Sequence, residues 1–428
     1  MEPFHRIGID ELLQLKCVDS LFWMVDVIGA RIASNSLETS IGVDFLVKGM
    51  NVAEADIAER FRKVLATVTA MLPEMQRNAS ELDREIKFPM AEVEQLAKNE
   101  VLAAVLPVSC GGLGLGTESR GALDLYDLLR LIGRGNLAVG RIFEGHVNAV
   151  ALVALYGNKE QLAEVSRDAL AGHLFAIWNT EPPEGLRIVG QKLKGSKIFC
   201  SAAGHATRAV VTAKDAEGQL RMVLLPLERG ERVEAISMRT QGMRAAITQK
   251  VVFDGVSISA NAVVGEPDDY VKEPAFSSGA WRASAVTIGG LEALVEELRA
   301  HLVRASRQLN PHQQFRMGRA LIAQETASMW GKRAAIIAES SETLPEGKAA
   351  FVNLARSAIE AATIDAMKLV QRSLGLSAFL EPGPVERIMR DLGTYLRQPA
   401  PDEALTEAAA WFIENCGGIE RLDRETRR

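Results

Sequence analysis

Aromatic residues are scarce in this chain, at 5% of 428 positions. With few large rings, the common alanines lean the fold toward helix. Cysteine is scarcer still. Cys17, Cys110, Cys200 and Cys416 form no Cys-x-x-Cys pair, which excludes the usual zinc spacings and a disulfide framework and suits a reducing cytoplasm. The net charge of −6 is spread without blocks, so a basic surface for nucleic acid is not expected. Long apolar runs are also missing. The best, Leu21–Gly29, is short and carries Asp26. It has no basic lead-in or small-residue cleavage site, so neither a membrane span nor a signal peptide is expected.

What remains is enough chain for two or three domains around a large core. Residues 1–49 read as an extension outside the main fold. A helical region follows over 50–171, opened by Ile57, Phe61, Val64, Leu65, Val68 and Leu72 at 3.6-residue spacing. Breaks fall at Phe88-Pro89, Pro107 and Gly157-Asn158. Over 172–268 the pattern changes to short β-type runs: Leu174–Trp178, Lys197–Cys200, Arg208–Ala213, Met222–Leu225 and Lys250–Phe253. From 269 to 428 it is helical again, with Leu298, Leu302, Phe315, Leu321 and Ile322 assigned to one helix pair and Ile359, Ile364, Met367 and Val370 to another. Helices, then strands, then a helical bundle make an α+β chain whose layer junctions would supply a slot for a flat cofactor.

The glycines Gly111, Gly112, Gly114 and Gly116 invite a dinucleotide reading, but Gly112 would need a glycine at 117, which is threonine. A tight loop between helices is the better expectation. Thr180-Glu181-Pro182 and Lys197-Ile198-Phe199-Cys200-Ser201 close two strands with hydroxyls and backbone N–H groups. Those suit the polar edge of a flavin, with an apolar ring for its face. Phe199 and Ser201, two apart, are expected on one side of a strand.

Together these segments resemble the acyl-CoA dehydrogenase family over roughly residues 52–420. Leu106-Pro107 with Cys110-Gly111-Gly112-Leu113-Gly114 resembles its Pro…Gly-Gly loop, and Thr180-Glu181-Pro182 its first flavin segment. Lys197–Ser201 is similar to its Lys-x-Trp-x-Thr/Ser strand, with Phe199 in the tryptophan place. Gly242-Met243-Arg244 with Val251–Val256, and Pro384-Val385-Glu386-Arg387-Ile388-Met389-Arg390-Asp391, complete the order. The resemblance implies an acyl-CoA dehydrogenase-like fold: an N-terminal helical domain, a central β-barrel or sandwich domain and a C-terminal four-helix bundle. It implies FAD, with FMN as the alternative. Thr180 and Ser201 would bond the isoalloxazine edge and Phe199 would cover its face. Arg304 or Arg307, of which Arg307 is taken as the candidate, would meet the pyrophosphate. Gln371 and Gly375 would reach the flavin of a neighbouring subunit. It further implies a small-molecule substrate, an electron-transfer flavoprotein or a flavin reductase as redox partner, and a homodimer or homotetramer.

The departures bear on the reaction. The family's glutamate base falls, counting nine on from Arg390, at Pro399, and its alternative place before Arg282 holds Ala280-Trp281. Asp402 is the remaining carboxylate on that loop. It is both the catalytic candidate and a natural first-turn residue of a helix beginning near Pro401. Trp281 reads either as core filler or as an occupant of the acyl space, and His146 as a packing residue or an aid to oxygen chemistry. Three functions stay open: a dehydrogenase-like FAD enzyme acting on an acyl-CoA or related molecule, a reduced-flavin monooxygenase, and an inactive flavin fold kept for interaction.

Overall fold

The computed structural model describes residues 52–234, 239–341 and 343–415. The expectation for residues 1–49, and Cys17 and Cys416, lie outside them. Residues up to Glu59 and those from Arg60 onward form separate units, and the second holds the sheet and the helices packed on it.

Helix α1 (Val52–Glu85) buries Val64, Val68, Met75 and Ala79 along one seam, the 3.6 period read from its sequence. The Phe88-Pro89 break leads into α2 (Met90–Lys98). The glycine loop after α2 is held by close approach. A Cβ on Gly112 would lie 2.0 Å from the Leu106 carbonyl oxygen, so no other residue fits without moving backbone.

Three helices complete this layer: α3 (Ala122–Gly135), α4 (Leu137–Tyr156) and α5 (Lys159–Leu170). The Asn136 side chain accepts from Ala138 N at 2.9 Å and caps α4. Asn158 and Gln161 form a capping box on α5. Helix α4 corrects the expectation that long apolar segments are absent. By length and composition it could cross a membrane, but 67% of it is buried inside the protein. Its apolarity serves the core.

Seven strands follow among the described residues: β1 (Phe175–Trp178), β2 (Leu186–Val189), β3 (Lys192–Cys200), β4 (Arg208–Lys214), β5 (Leu220–Pro226), β6 (Gln249–Val252) and β7 (Val263–Val264). They form one mixed sheet in the order β6-β3-β2-β4-β5-β7, with β1 on β4. β1 and β2 pair parallel to β4 and the other pairs are antiparallel. β2 and β7 escaped the sequence reading; the two residues of β7 carry no periodicity.

The ends of β3 also depart from expectation. Lys197 pairs with Val251 and Cys200 with Gln249, so three steps on β3 match two on β6. This bulge puts Phe199 at φ +55°. It ends the alternation that would have set Phe199 and Ser201 on one strand face, and Ser201 lies beyond the strand.

The C-terminal layer comprises α6 (Ala275–Ser278), α7 (Ala280–Arg304), α8 (Pro311–Glu339), α9 (Pro345–Leu374), α10 (Pro384–Tyr395) and α11 (Pro401–Glu414). Helix α7 is central, packed by α3, α8 and α9. Leu298 and Leu302 are buried, whereas Phe315, Leu321 and Ile322 are exposed on α8. The bundle is pinned to the sheet region by the two most family-like motifs. Met243 N donates to Asp391 Oδ1 at 2.6 Å, and Gly242 N to Thr394 Oγ1 at 2.9 Å. A Cβ on Gly242 would sit 2.0 Å from the Arg390 carbonyl oxygen. Asp391 is also paired with Arg387 at 3.0 Å, and Arg390 with Asp83 at 2.6 Å.

Candidate functional site

Helix α4 is buried on most sides, yet Arg141, Glu144 and Asn148 sit on it at i, i+3 and i+7, one face of the helix. Glu144 is 3% exposed. Its Oε2 pairs with Arg141 Nη1, and its Oε1 accepts from Asn148 Nδ2. Asn148 Oδ1 accepts from Arg282 Nη1 at 3.0 Å. Arg282, on the first turn of α7, pairs with Glu339 at 3.0 Å and reaches the Gly116 carbonyl at 3.4 Å. Trp281 Nε1 donates to the same Glu339 oxygen at 3.2 Å. At the other end, Arg141 Nε lies 3.4 Å from Ser201 Oγ, which is 3.3 Å from Thr248 Oγ1. One polar chain thus runs from the end of β3 to the last turn of α8, and each link holds the next in place.

Beside this chain opens a cavity of about 660 Å³. Glu144, Asn148, Tyr270, Arg282, Glu339 and Lys348 give it its polar lining. Burial lowers the Lys348 ammonium from its ordinary value, opposed in part by Glu339. Burial pushes the Tyr270 hydroxyl up to about 12, with nearby Glu144 adding and Arg141 opposing. The Arg282 Nε is buried with no protein partner. The buried Tyr395 hydroxyl is raised far above its usual range by burial and by Glu144, with Arg141 opposing. The cavity suits a ligand with polar groups of its own.

The N-terminal domain model of the acyl-CoA dehydrogenase family matches residues 57–173. The chain is 25% identical over 341 residues to the 3-sulfinopropanoyl-CoA desulfinase of Advenella mimigardefordensis, covering 73% of this chain and 83% of that protein. It is 25% identical over 359 residues to the mouse very long-chain specific acyl-CoA dehydrogenase, covering 72% of this chain but only 54% of that one. Among solved structures, the dibenzothiophene monooxygenase TdsC of Paenibacillus sp. A11-2, solved with FMN and indole, superposes with a TM-score of 0.72 at 18% identity, over 82% of this chain and 97% of TdsC.

In its N-terminal domain and its fold this chain is acyl-CoA dehydrogenase-like.

Its family motifs acquire physical roles. Lys197 is fully buried. It donates to the Asn179 carbonyl, Glu181 Oε2 and Thr212 Oγ1 at 2.8, 2.8 and 2.9 Å, which fixes the Thr180-Glu181-Pro182 turn. Burial lowers its ammonium below the usual lysine range, and Glu181 opposes that shift. Thr180 is exposed, and its carbonyl accepts from Ile198 N at 3.0 Å. Trp178 Nε1 donates to the Ser201 carbonyl at 2.9 Å. Thr180, Phe199 and Ser201 therefore gather where β1 and β3 end. Phe199 is 52% exposed, an uncovered ring at the end of β3. The Thr180 and Ser201 hydroxyls and the Arg141 guanidinium, beside the Tyr395 hydroxyl, are donors of the kind a flavin's polar edge takes.

The other expected residues lie elsewhere. Arg307 is exposed in the turn after α7. Gln371 is on the last turn of α9, its Nε2 3.6 Å from Met389 Sδ, and exposed Gly375 ends that helix at φ +63°. Gln313 joins these two ends by donating to the Ser373 carbonyl at 3.3 Å, so Arg307, Gln371 and Gly375 share one end of the bundle. None of the three lines the cavity. Asp402 is exposed on the first turn of α11, and Pro399 is exposed while its neighbour Gln398 lines the cavity. Trp281 is core filler, 1% exposed. His146 is fully buried, with Nε2 2.9 Å from the Leu102 carbonyl and Nδ1 accepting from Phe175 N at 3.1 Å. It packs and does not face the cavity. Arg141, Glu144, Asn148, Tyr270, Glu339 and Gln398 were missed. For the first three the signal was present: polar residues at helical spacing within an apolar segment.

Proposed function

We propose that this protein is a flavin-dependent oxidoreductase that adds oxygen to a small, polar organic molecule held in the α4–α7 cavity. The observation that carries this reading is the cavity's lining. A fatty acyl chain there would leave the buried Arg282 Nε without a partner, at about 1–3 kcal/mol for a buried polar group, and would offer the half-buried Lys348 ammonium no polar contact. A polar ligand satisfies them. Both buried-side carboxylates, Glu144 and Glu339, are held by arginines, and the family's base position carries Pro399. Removal of an α-proton therefore has no free carboxylate to perform it. A bound flavin supplies the two-electron and oxygen chemistry. The chain's own part is to grip the ring edge with Ser201, Thr180 and Arg141, to orient the substrate with Asn148, Arg282 and Lys348, and to limit water with Tyr270 and the α4 face. The TdsC fold, solved with FMN, supports this reading. FAD is the form the family relatives favour. A flavin reductase would be the redox partner, and the bundle end that carries Gln371 and Gly375 would meet a second copy.

A second reading is dehydrogenation of an acyl thioester. The sequence relatives named for acyl-CoA substrates favour it, as does Gln398 at the cavity wall beside the expected glutamate position. The deciding experiment is to identify any flavin released from purified protein and then run two assays. Under the first reading, reduced flavin supplied by a reductase is consumed in air with oxygen gained by small polar substrates, and a panel of acyl-CoAs causes no anaerobic bleaching. Bleaching by an acyl-CoA would overturn it in favour of the second. Indifference to every flavin form would leave the interaction-protein reading standing.

A further inference from the structure

The cation at the end of the polar chain has no counterpart in the sequence reading. Arg141 is fixed by its neighbours: Glu144 holds its Nη1, the Tyr395 hydroxyl lies against it, and its Nε faces Ser201 Oγ at 3.4 Å. Glu144 is in turn fixed by Asn148, on the side away from Ser201, so the pair points its positive end at the gathered ends of β1 and β3. The other ionisable groups nearby, Tyr270 and Tyr395, are pushed up by burial and stay neutral at pH 7. A permanent, oriented guanidinium in a partly desolvated place interacts strongly with any charge that develops beside it.

We infer that Arg141, positioned by Glu144, makes this site bind reduced flavin in preference to oxidised flavin. This rests on the reading of the site as a flavin site. An oxidised flavin that takes up two electrons and one proton becomes an anion delocalised over the isoalloxazine, the only flavin form at neutral pH whose ring charge a cation can hold. Arg141 therefore discriminates by redox state, while the Thr180 and Ser201 hydroxyls bond either form.

The test is anaerobic titration of the purified protein with FMN and FAD, each oxidised or dithionite-reduced, and measurement of the bound flavin's potential. Wild type binds the reduced form at least about tenfold more tightly, equivalent to a bound potential raised by about 30 mV over free flavin. Arg141→Gln abolishes that preference. Because this variant leaves Glu144 buried without its cation, the double variant Arg141→Gln/Glu144→Gln, which removes both charges, is measured beside it and loses the preference equally. Arg141→Lys retains part of it. A folded double variant that still binds flavin with the wild-type preference overturns the inference alone. A wild type that binds neither form overturns the flavin reading and this inference with it.

Discussion

Two stretches of this protein bear on where a catalytic carboxylate could stand, and they differ in burial and in bonding. On α4, Glu144 is buried and clamped by Arg141 and Asn148. Over residues 397–403, Pro399 and Asp402 are exposed, and the polar contacts include Arg356 donating to the Pro399 carbonyl, Arg397 paired with Glu360 and Gln398 donating to the Tyr395 carbonyl. Family counting directs attention to the loop, whereas burial and hydrogen bonding direct it to the helix. A site is built where desolvated polar groups are held in place, and here that place is α4.

The largest expected effect comes from breaking the helix side. Glu144→Leu strips the partner from Arg141 and should lower unfolding free energy by about 3–5 kcal/mol, read as a fall in the urea midpoint. Asp402→Ala should lose no more than about 1 kcal/mol, the worth of a first-turn charge. Equal losses would erase the contrast.

A pH series probes α4 next. Burial holds the His146 pKa at about 4, below its ordinary 6.5. The neutral ring is thus the native form, and between those values the unfolded chain binds more protons. Its contribution is complete above about pH 6.5 and is lost as pH falls toward 4, roughly 3 kcal/mol in all. The urea midpoint should drop over that window, less steeply in His146→Gln. A wild-type midpoint flat from pH 7 to 4 would contradict the packing role.

The smallest effect is expected on the loop. Pro399→Glu restores the family's residue type in solvent and should change flavin binding and acyl-CoA bleaching less than twofold. Gln398→Glu, which places a carboxylate at the cavity wall, is the variant in which bleaching should emerge. Bleaching with Pro399→Glu alone would reverse the comparison.

The layer order was legible because helical and strand periodicities differ over long windows, and the motifs located Thr180 and Ser201 at adjoining strand ends. The bulge at Phe199 was not legible, since positive φ at a phenylalanine has no sequence signature. Nor was the partnership of Arg141, Glu144, Asn148, Arg282 and Glu339, which spans nearly two hundred positions and exists only once three helices meet. The meaning of Gly242 was half visible. Its motif was familiar, but the contact with Arg390 that requires it is a long-range fact.

Helix α4 has a consequence outside catalysis. Twenty residues of its hydropathy could partition into lipid. A charged residue at the centre of such a span opposes that by about 2.5–3.5 kcal/mol, several times what one leucine gains; Glu144 lies nearer that centre, and Arg141 one turn closer to the end. While the segment is newly made and its partners are absent, Arg141 and Glu144 thus penalise the bilayer as a resting place. The residues that frame the cavity in the finished protein also guard the nascent helix against being taken for an anchor.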